Sequence, residues 1–550
     1  MDTGPRHRET TTEHEGEGTA SWSTGSMNRR AFLARTGAAA ALAGLAGCGS
    51  PDEASDGSSG ETPTRTPSEP TPTPAELTES APVTRHGITF ETVLHAVGDL
   101  GMDRTGQEPI DDALDRAYGD STLVVFPPGA YLATKPHVWK KDVSGFGMLG
   151  LGETKNDVEF VFPKGNEGAP DPANYWFLRA ENGRDHLLEN VTIQQTDDMV
   201  TGVGMVFWQE DGLQIQDVEV AGFNPAYNHD PGFCIIAAVT SQPGVGVIDG
   251  FTCTDGGVVD LYPKRKIPIA SYRNHRGELR ILNPHIANAG EHSMYVSRTR
   301  GCVRVENGLF VNNDNSNLRL SGGGHPEKRS WAKDCRILID TDNAENLPSG
   351  ERYEGARGIW VESGSEYEYG YNDLLLENIQ VEALSNARPA VLLLHEHSHG
   401  SLTVRNCSFR SEVENATVVD SRFPYTDWVQ SPYALTMEDV SVSTTATRTV
   451  SGYAVRITSR PESVIRNVDI ELVTGAVDGM LIDKSDGTRI LGTQITTSPT
   501  GQSSGATGET QAAGENSGIV LNATDEYSIQ NAEFQVPDEN ILVGPESSEG

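Results

Sequence analysis

Lysine is scarce in this chain. Ten of its 42 basic residues are Lys, and they stand against 78 Asp and Glu, for a net charge of −36 over 550 residues. A surface this anionic repels phosphate backbones and anionic headgroups, which argues against nucleic acid and anionic membranes as partners. It suits high salt, where the screening length falls to about 3 Å at 1 M, and a halophilic source is the expectation. Cysteine is scarce too. Apart from Cys48 there are five, Cys234, Cys253, Cys302, Cys335 and Cys407. An odd number without CxxC spacing is not a disulfide framework, and Cys302 and Cys407 fall on strand positions as small core residues. The apolar Ala/Gly-rich run from Gly37 to Gly47 is too short to span a bilayer, which takes about 20 residues.

What the chain does have is one repeated pattern: two alternating apolar residues, a turn residue, then two more alternating apolar residues. It reads LLENVTIQ from Leu187 and LQIQDVEV from Leu213, and returns as LRILNPHI, VRVENGLFV, LLLENIQV, LTVRNCSF, LTMEDVSV, VIRNVDI, RILGTQI and YSIQNAEF. The turn residue is Asn190, Asp217, Asn283, Asn307, Asn378, Asn406, Asp439, Asn467, Gly492 or Asn531. Asn, Asp and Gly enter the left-handed backbone region cheaply, so each unit is two short strands joined by a one-residue corner. Successive corners lie 27 residues apart at Asn190 and Asp217, 24 at Asn283 and Asn307, 28 at Asn378 and Asn406, and 25 at Asn467 and Gly492. Units of this period must stack to bury their apolar faces, which makes a solenoid. A third strand precedes many units, as in GMVFWQ, SMYVSR, NLRLSG, GIWVES, GYAVRI, GMLIDK and GIVLNA.

The N-terminus reads as an export signal. Arg29 and Arg30 precede the apolar run, which ends Leu45-Ala46-Gly47-Cys48. This resembles a twin-arginine signal followed by a lipobox, with Cys48 lipidated and Met27 the true start. The expected organisation is a signal over 1–47, a Ser/Thr/Pro-rich linker over 48–82 and a solenoid over 83–550. The chain would be an exported lipoprotein anchored at the outer cell surface, touching the membrane only through its lipid.

Three strands per coil with an Asn-like corner resembles the right-handed parallel β-helix proteins of the pectin-lyase-like (pectate lyase) superfamily. The resemblance covers Val83 to the C-terminus. It implies an all-β, single-stranded parallel β-helix with a short N-terminal capping helix. Asp111 to Tyr118 reads as that helix, and Pro128-Gly129-Ala130-Tyr131 as the turn after the first strand. Of four Asn-x-Ser/Thr sequons, Asn190 and Asn406 are corners expected to be buried, which leaves Asn415 and Asn522 for glycosylation.

Enzymes of that architecture work on a polysaccharide in a groove along one outward sheet. Counting side-chain parity gives a column of outward residues, Asp260, Tyr295, Arg319 and Trp360, with Tyr295 and Arg319 one coil apart. Asp260, Tyr295 and Arg319 are the catalytic candidates and Trp360 is a stacking platform. The basic loop Lys264, Arg265, Lys266, Arg273 and Arg276 would grip an anionic sugar. The Asn-Thr-Asp, Asp-Asp, Gly-His-Gly and Arg-Ile-Lys set of polygalacturonase-type hydrolases is missing. Asn283-Pro284-His285 differs at its first residue from the Asp-Pro-His of mannuronan epimerases. Two readings follow. One is a polysaccharide lyase on uronate glycans, with Tyr295 or Arg319 as base and calcium as a possible cofactor. The other is a non-catalytic carbohydrate-binding or adhesive surface protein. His395, His397 and His399 sit in a run that rounds a corner, so their imidazoles diverge. Asn312 to Asn315 reads as turn chemistry with capacity for calcium.

Overall fold

The computed structural model describes residues 82–163, 173–195, 201–224, 232–259, 266–344, 353, 355–363, 372–386, 389–425, 432–473, 477–498 and 516–544. The export signal, with Arg29, Arg30 and Cys48, and the linker lie outside the described residues, as do Asp260, Lys264 and Arg265.

All ten corner residues have left-handed backbone, with φ between +49° and +64°. For other L-residues that conformation costs roughly 1–2 kcal/mol, which is why the pattern repeats Asn, Asp and Gly. The corner amides also tie neighbouring coils together. Asn283 Nδ2 donates to Asp249 Oδ1 at 2.6 Å, Asn378 to Asp334 at 2.9 Å and Asn467 to Asp439 at 3.0 Å. Asn190 is buried as expected, donating to the Gly150 and Gly152 carbonyls. Asn406 is instead exposed.

Every third strand joins a parallel sheet of 14 strands among the described residues, from His137–Trp139 to Ile541–Val543. The two strands around each corner build a second sheet that folds over along the line of corners; Arg184–Gln194 and Val464–Val473 run unbroken through it. We call its limbs the first, before the corner, and the second, after it. The chain is a right-handed, single-stranded parallel β-helix.

Alternation sends the apolar residues inward, where they stack coil on coil. On the first limb Ile215, Ile248, Ile281, Val305, Ala332, Leu376, Val404, Met437, Ile465 and Ile490 are paired in sequence, and none is exposed. Cutting one of the larger rungs to Ala costs about 2–5 kcal/mol. All five described cysteines are buried and unpaired by disulfides. The open N-terminal end is closed by the helix Asp111–Ala117, which buries Leu114 and Ala117. His137 clamps that helix between two of its carboxylates, Asp115 at 2.7 Å and Asp111 at 3.1 Å.

Candidate functional site

The column of outward residues forms in register on the 14-stranded sheet. Tyr295 pairs with Arg319 and Arg319 with Trp360, and the next rung is Leu393. Asp260, expected to head the column, lies outside the described residues. The strand beside Met294–Tyr295 is Ile267–Ala270, and Ala270 is the partner of Tyr295. Of the VVDLY pattern only Val258 and Val259 are described, and both lie outside any strand.

Arg319 was expected on an open face, yet it is only 5% exposed. Its guanidinium carbon lies 4.2 Å from the Tyr295 ring centre and 4.4 Å from that of Trp360, so the cation is sandwiched between two rings. Nη2 donates to Glu362 Oε2 at 2.7 Å, and Nη1 lies 2.8 Å from His292 Nε2. An Arg only donates, so His292 accepts at Nε2 and carries its proton on Nδ1, which donates to Ser316 Oγ at 2.7 Å. The other Glu362 oxygen accepts from Arg298 Nη2 at 2.9 Å. Burial alone would raise the Glu362 pKa, but Arg319 first and then Arg298 outweigh it, and the carboxyl is held below its usual range. Both terminal nitrogens of Arg319 are thus engaged within the fold.

Around this knot the aromatic rings run on along the solenoid axis. Centroids are 5.6 Å apart from Phe233 to Tyr272, 5.4 Å to Tyr295, 5.5 Å to His292 and 5.8 Å to Trp360. The series continues at 5.4 Å to His395, 5.0 Å to His397 and 5.1 Å to Tyr425. It follows seven strands of the sheet, or about 29 Å at ~4.8 Å per step. Tyr272, Tyr295, Trp360, His395 and His397 are half-buried and Tyr425 is exposed. Burial pushes the His395 pKa down to about 4, against the pull of Glu362 and Glu396, so its imidazole is neutral at pH 7. The indole N–H of Trp360 is buried with no acceptor among the described residues.

The basic loop is only partly assembled at the surface. Arg273 and Arg276 are exposed on the turn that follows Ile267–Ala270. Lys266 is not there: it lies inside the solenoid, 1% exposed, donating to the Val203 carbonyl at 2.6 Å and Gln195 Oε1 at 3.2 Å. It is the first residue after the loop and already belongs to the wall. His395 and His397 stay in contact across a turn at Glu396–His397, while His399 is buried beyond it. The Asn312–Asn315 segment is spent on its own turn. Asp314 Oδ1 accepts the N–H groups of Asn315 and Gly355, and Asn312 Oδ1 accepts that of Asp340.

His292 escaped the parity count for a physical reason. Counting back from Met294 places it inside, but a single bridge, His292 to Ser316, joins this stretch to the next coil, and strand alternation does not hold there.

No family model matches the chain, and no curated relative matches it. Among solved structures it is similar to an Azotobacter vinelandii mannuronan C-5 epimerase A-module, at 11% identity over 83% of this chain and 99% of that one, with a TM-score of 0.32. It is also similar to a GH87 alpha-1,3-glucanase from Streptomyces thermodiastaticus (12%, 86% and 71%, 0.37). A third is a Streptococcus pneumoniae surface adhesin (11%, 82% and 100%, 0.34).

Proposed function

We propose that the chain binds an extended polysaccharide along the outward face of its 14-stranded sheet. The observation that carries this reading is the unbroken series of rings from Phe233 to Tyr425. Flat rings spaced along one axis suit the apolar faces of successive sugars. The groups best suited to catalysis are turned on each other. Both terminal nitrogens of Arg319, both oxygens of Glu362 and both nitrogens of His292 are engaged, which favours binding over bond cleavage. With the twin-arginine and lipobox-like residues Arg29, Arg30 and Cys48, the protein would hold glycan at the outer surface of a cell.

A lyase is the second reading, favoured by the contact of Tyr295 with Arg319. In its phenolate form Tyr295, beside the Arg319 guanidinium, would take the proton next to a uronate carboxylate that the cation neutralises, the new C=C bond forming as the glycosidic oxygen of the neighbouring sugar leaves. Electrophoresis of the full chain through gels containing a panel of polysaccharides tests the first reading. At least one glycan should retard it, and Trp360→Ala and Tyr425→Ala should each weaken retention about tenfold, equivalent to about 1.4 kcal/mol. Retardation untouched by both changes would sink it. Release of unsaturated product, followed by ultraviolet absorbance and lost in Tyr295→Phe, would establish the lyase instead.

A further inference from the structure

The cations of this acidic chain are concentrated in one stretch. Between Lys264 and Arg336 fourteen Lys and Arg stand against six Asp and Glu, whereas the whole chain has 42 against 78. Arg319 and Arg298 belong to the knot on the ring ladder and Lys266 lies inside the solenoid, but most of the other described cations of this stretch gather on a different surface. Three successive coils leave the 14-stranded sheet for the first limb through turns 271–277, 296–301 and 321–329, and each turn carries two cations. They are Arg273 and Arg276, Arg298 and Arg300, and Lys328 and Arg329. The strands that follow, Glu278–Leu282, Cys302–Glu306 and Ser330–Lys333, place Arg280, Arg304 and Trp331 in register, one rung apart.

One carboxylate organises the centre of this surface. Glu278, 1% exposed, accepts from Arg280 at 2.6 Å, Arg304 at 2.8 Å and Lys328 at 2.8 Å. Three cations share one anion, which leaves two positive charges in a fixed arrangement. Trp331 is half-buried beside them, its ring centre 5.7 Å from the Arg304 guanidinium and 5.2 Å from Lys333 Nζ. Arg329 spends its Nη2 on the Leu374 carbonyl and Thr403 Oγ1 rather than on a carboxylate. Arg273, Arg276 and Arg336 are exposed and make no ion pair with the described residues.

We propose that the outward face of the first limb around Trp331 is a second docking surface, for a polyanionic polysaccharide. Carboxylate or sulfate groups lie against Arg280, Arg304 and Lys328, and one sugar ring stacks on Trp331. Net charge favours this site, because a polyanion repelled by the acidic remainder of the molecule is steered to this basic face. A ring platform set between cations matches a chain that presents apolar ring faces and charges alternately. Duplex nucleic acid offers such a surface only phosphate. The proposal stands apart from the ring ladder, which needs no charge on its ligand.

The test is retention of the full chain on immobilised polygalacturonate, dextran sulfate and neutral dextran across a salt series, with the Arg280→Gln/Trp331→Ala double variant and Trp360→Ala alongside. The expected result is retention on a polyanion that weakens with salt and falls tenfold or more in the double variant, with circular dichroism and melting temperature preserved. The two polyanions separate carboxylate from sulfate recognition. Should the double variant misfold, Arg273→Gln/Arg276→Gln, at two exposed positions of the turn that leads into the first limb, is expected to lower polyanion retention at least threefold. Trp360→Ala should leave polyanion retention intact, so loss in that variant alone would overturn the second site without touching the ladder. Equal retention of wild type and a folded charge variant would overturn it, as would no retention of wild type at low salt. Tighter binding to duplex DNA than to either polysaccharide, or a dimer in sedimentation that the Arg280 change dissolves, would assign the surface to another partner.

Discussion

Arg319 and Glu362 lie 43 residues apart in the chain, and the fold sets their side chains 2.7 Å apart on neighbouring coils, both all but buried. A buried pair of this kind is stable only while both members are present, since removing one leaves the other charged and unsolvated. Glu362 holds Arg298 as well. Glu362→Gln should therefore destabilise the chain by about 3 kcal/mol, read as a lower denaturant midpoint with unchanged slope. A loss under 1 kcal/mol would show that water already reaches the pair.

The pair also sets a pH dependence. The folded pKa of Glu362 is below the unfolded value of about 4.3, so its contribution is full above that pH and is lost as pH falls through the lower folded value. His275 acts earlier on the same descent. It is fully buried and pushed down to about 4, donating from Nε2 to the Cys302 carbonyl and accepting the Val239 N–H at Nδ1. The unfolded imidazole binds its proton at about 6.5, so stability is complete above that pH and falls as pH drops toward 4, by up to about 3 kcal/mol. Urea unfolding at pH 7 and pH 4.5 should show the loss, and His275→Gln should flatten it. An equally steep decline in that variant would move the effect to His186 or His395, both also depressed to about 4.

The coil was legible because it is local: Asn467 or Asp439 announces a corner from its own chemistry, and the alternation beside it announces two strands. Register followed from spacing, and Tyr295, Arg319 and Trp360 were placed on adjacent rungs by counting alone. The count failed where no strand carries it. His292 sits in a bridge, Lys266 turns inward at the end of a loop, and Ala270 takes the rung that parity had given to Asp260. Nor does parity report cover. Arg319 faces outward and is still buried, because Tyr295, Trp360, His292 and Glu362 close over it, and that closure depends on residues from two other stretches of the chain.

The corners give a test of the local part. Asn467 has φ +49° and donates to Asp439 across the coil. Asn467→Ala places a Cβ where left-handed backbone disfavours it and removes that bond, so a loss of about 2 kcal/mol is expected. Asn467→Gly removes only the bond and should cost about half as much by thermal unfolding. Equal losses would mean that the interlocking amides, rather than the backbone, decide the residue at a corner.

Lys266 separates the two ways of reading the basic loop. As a surface group it would grip an anionic sugar, and Lys266→Met would weaken binding as Arg276→Gln does. Inside the solenoid it contacts no ligand, and burial, opposed by the nearby Cys234 and Cys253, lowers its pKa from 10.5. Between that lowered value and 10.5 the unfolded chain binds the extra proton, so wild-type stability should rise with pH across the interval. Lys266→Met should remove this rise. It should also leave the Val203 carbonyl without the lysine donor, at a cost of about 1–3 kcal/mol. Gln195 Oε1 keeps the Val203 N–H and stays satisfied. Polysaccharide retention by the folded Met variant should match wild type. Retention that falls in step with Arg276→Gln would return Lys266 to the surface, and the wall of the solenoid would have to be drawn one residue later.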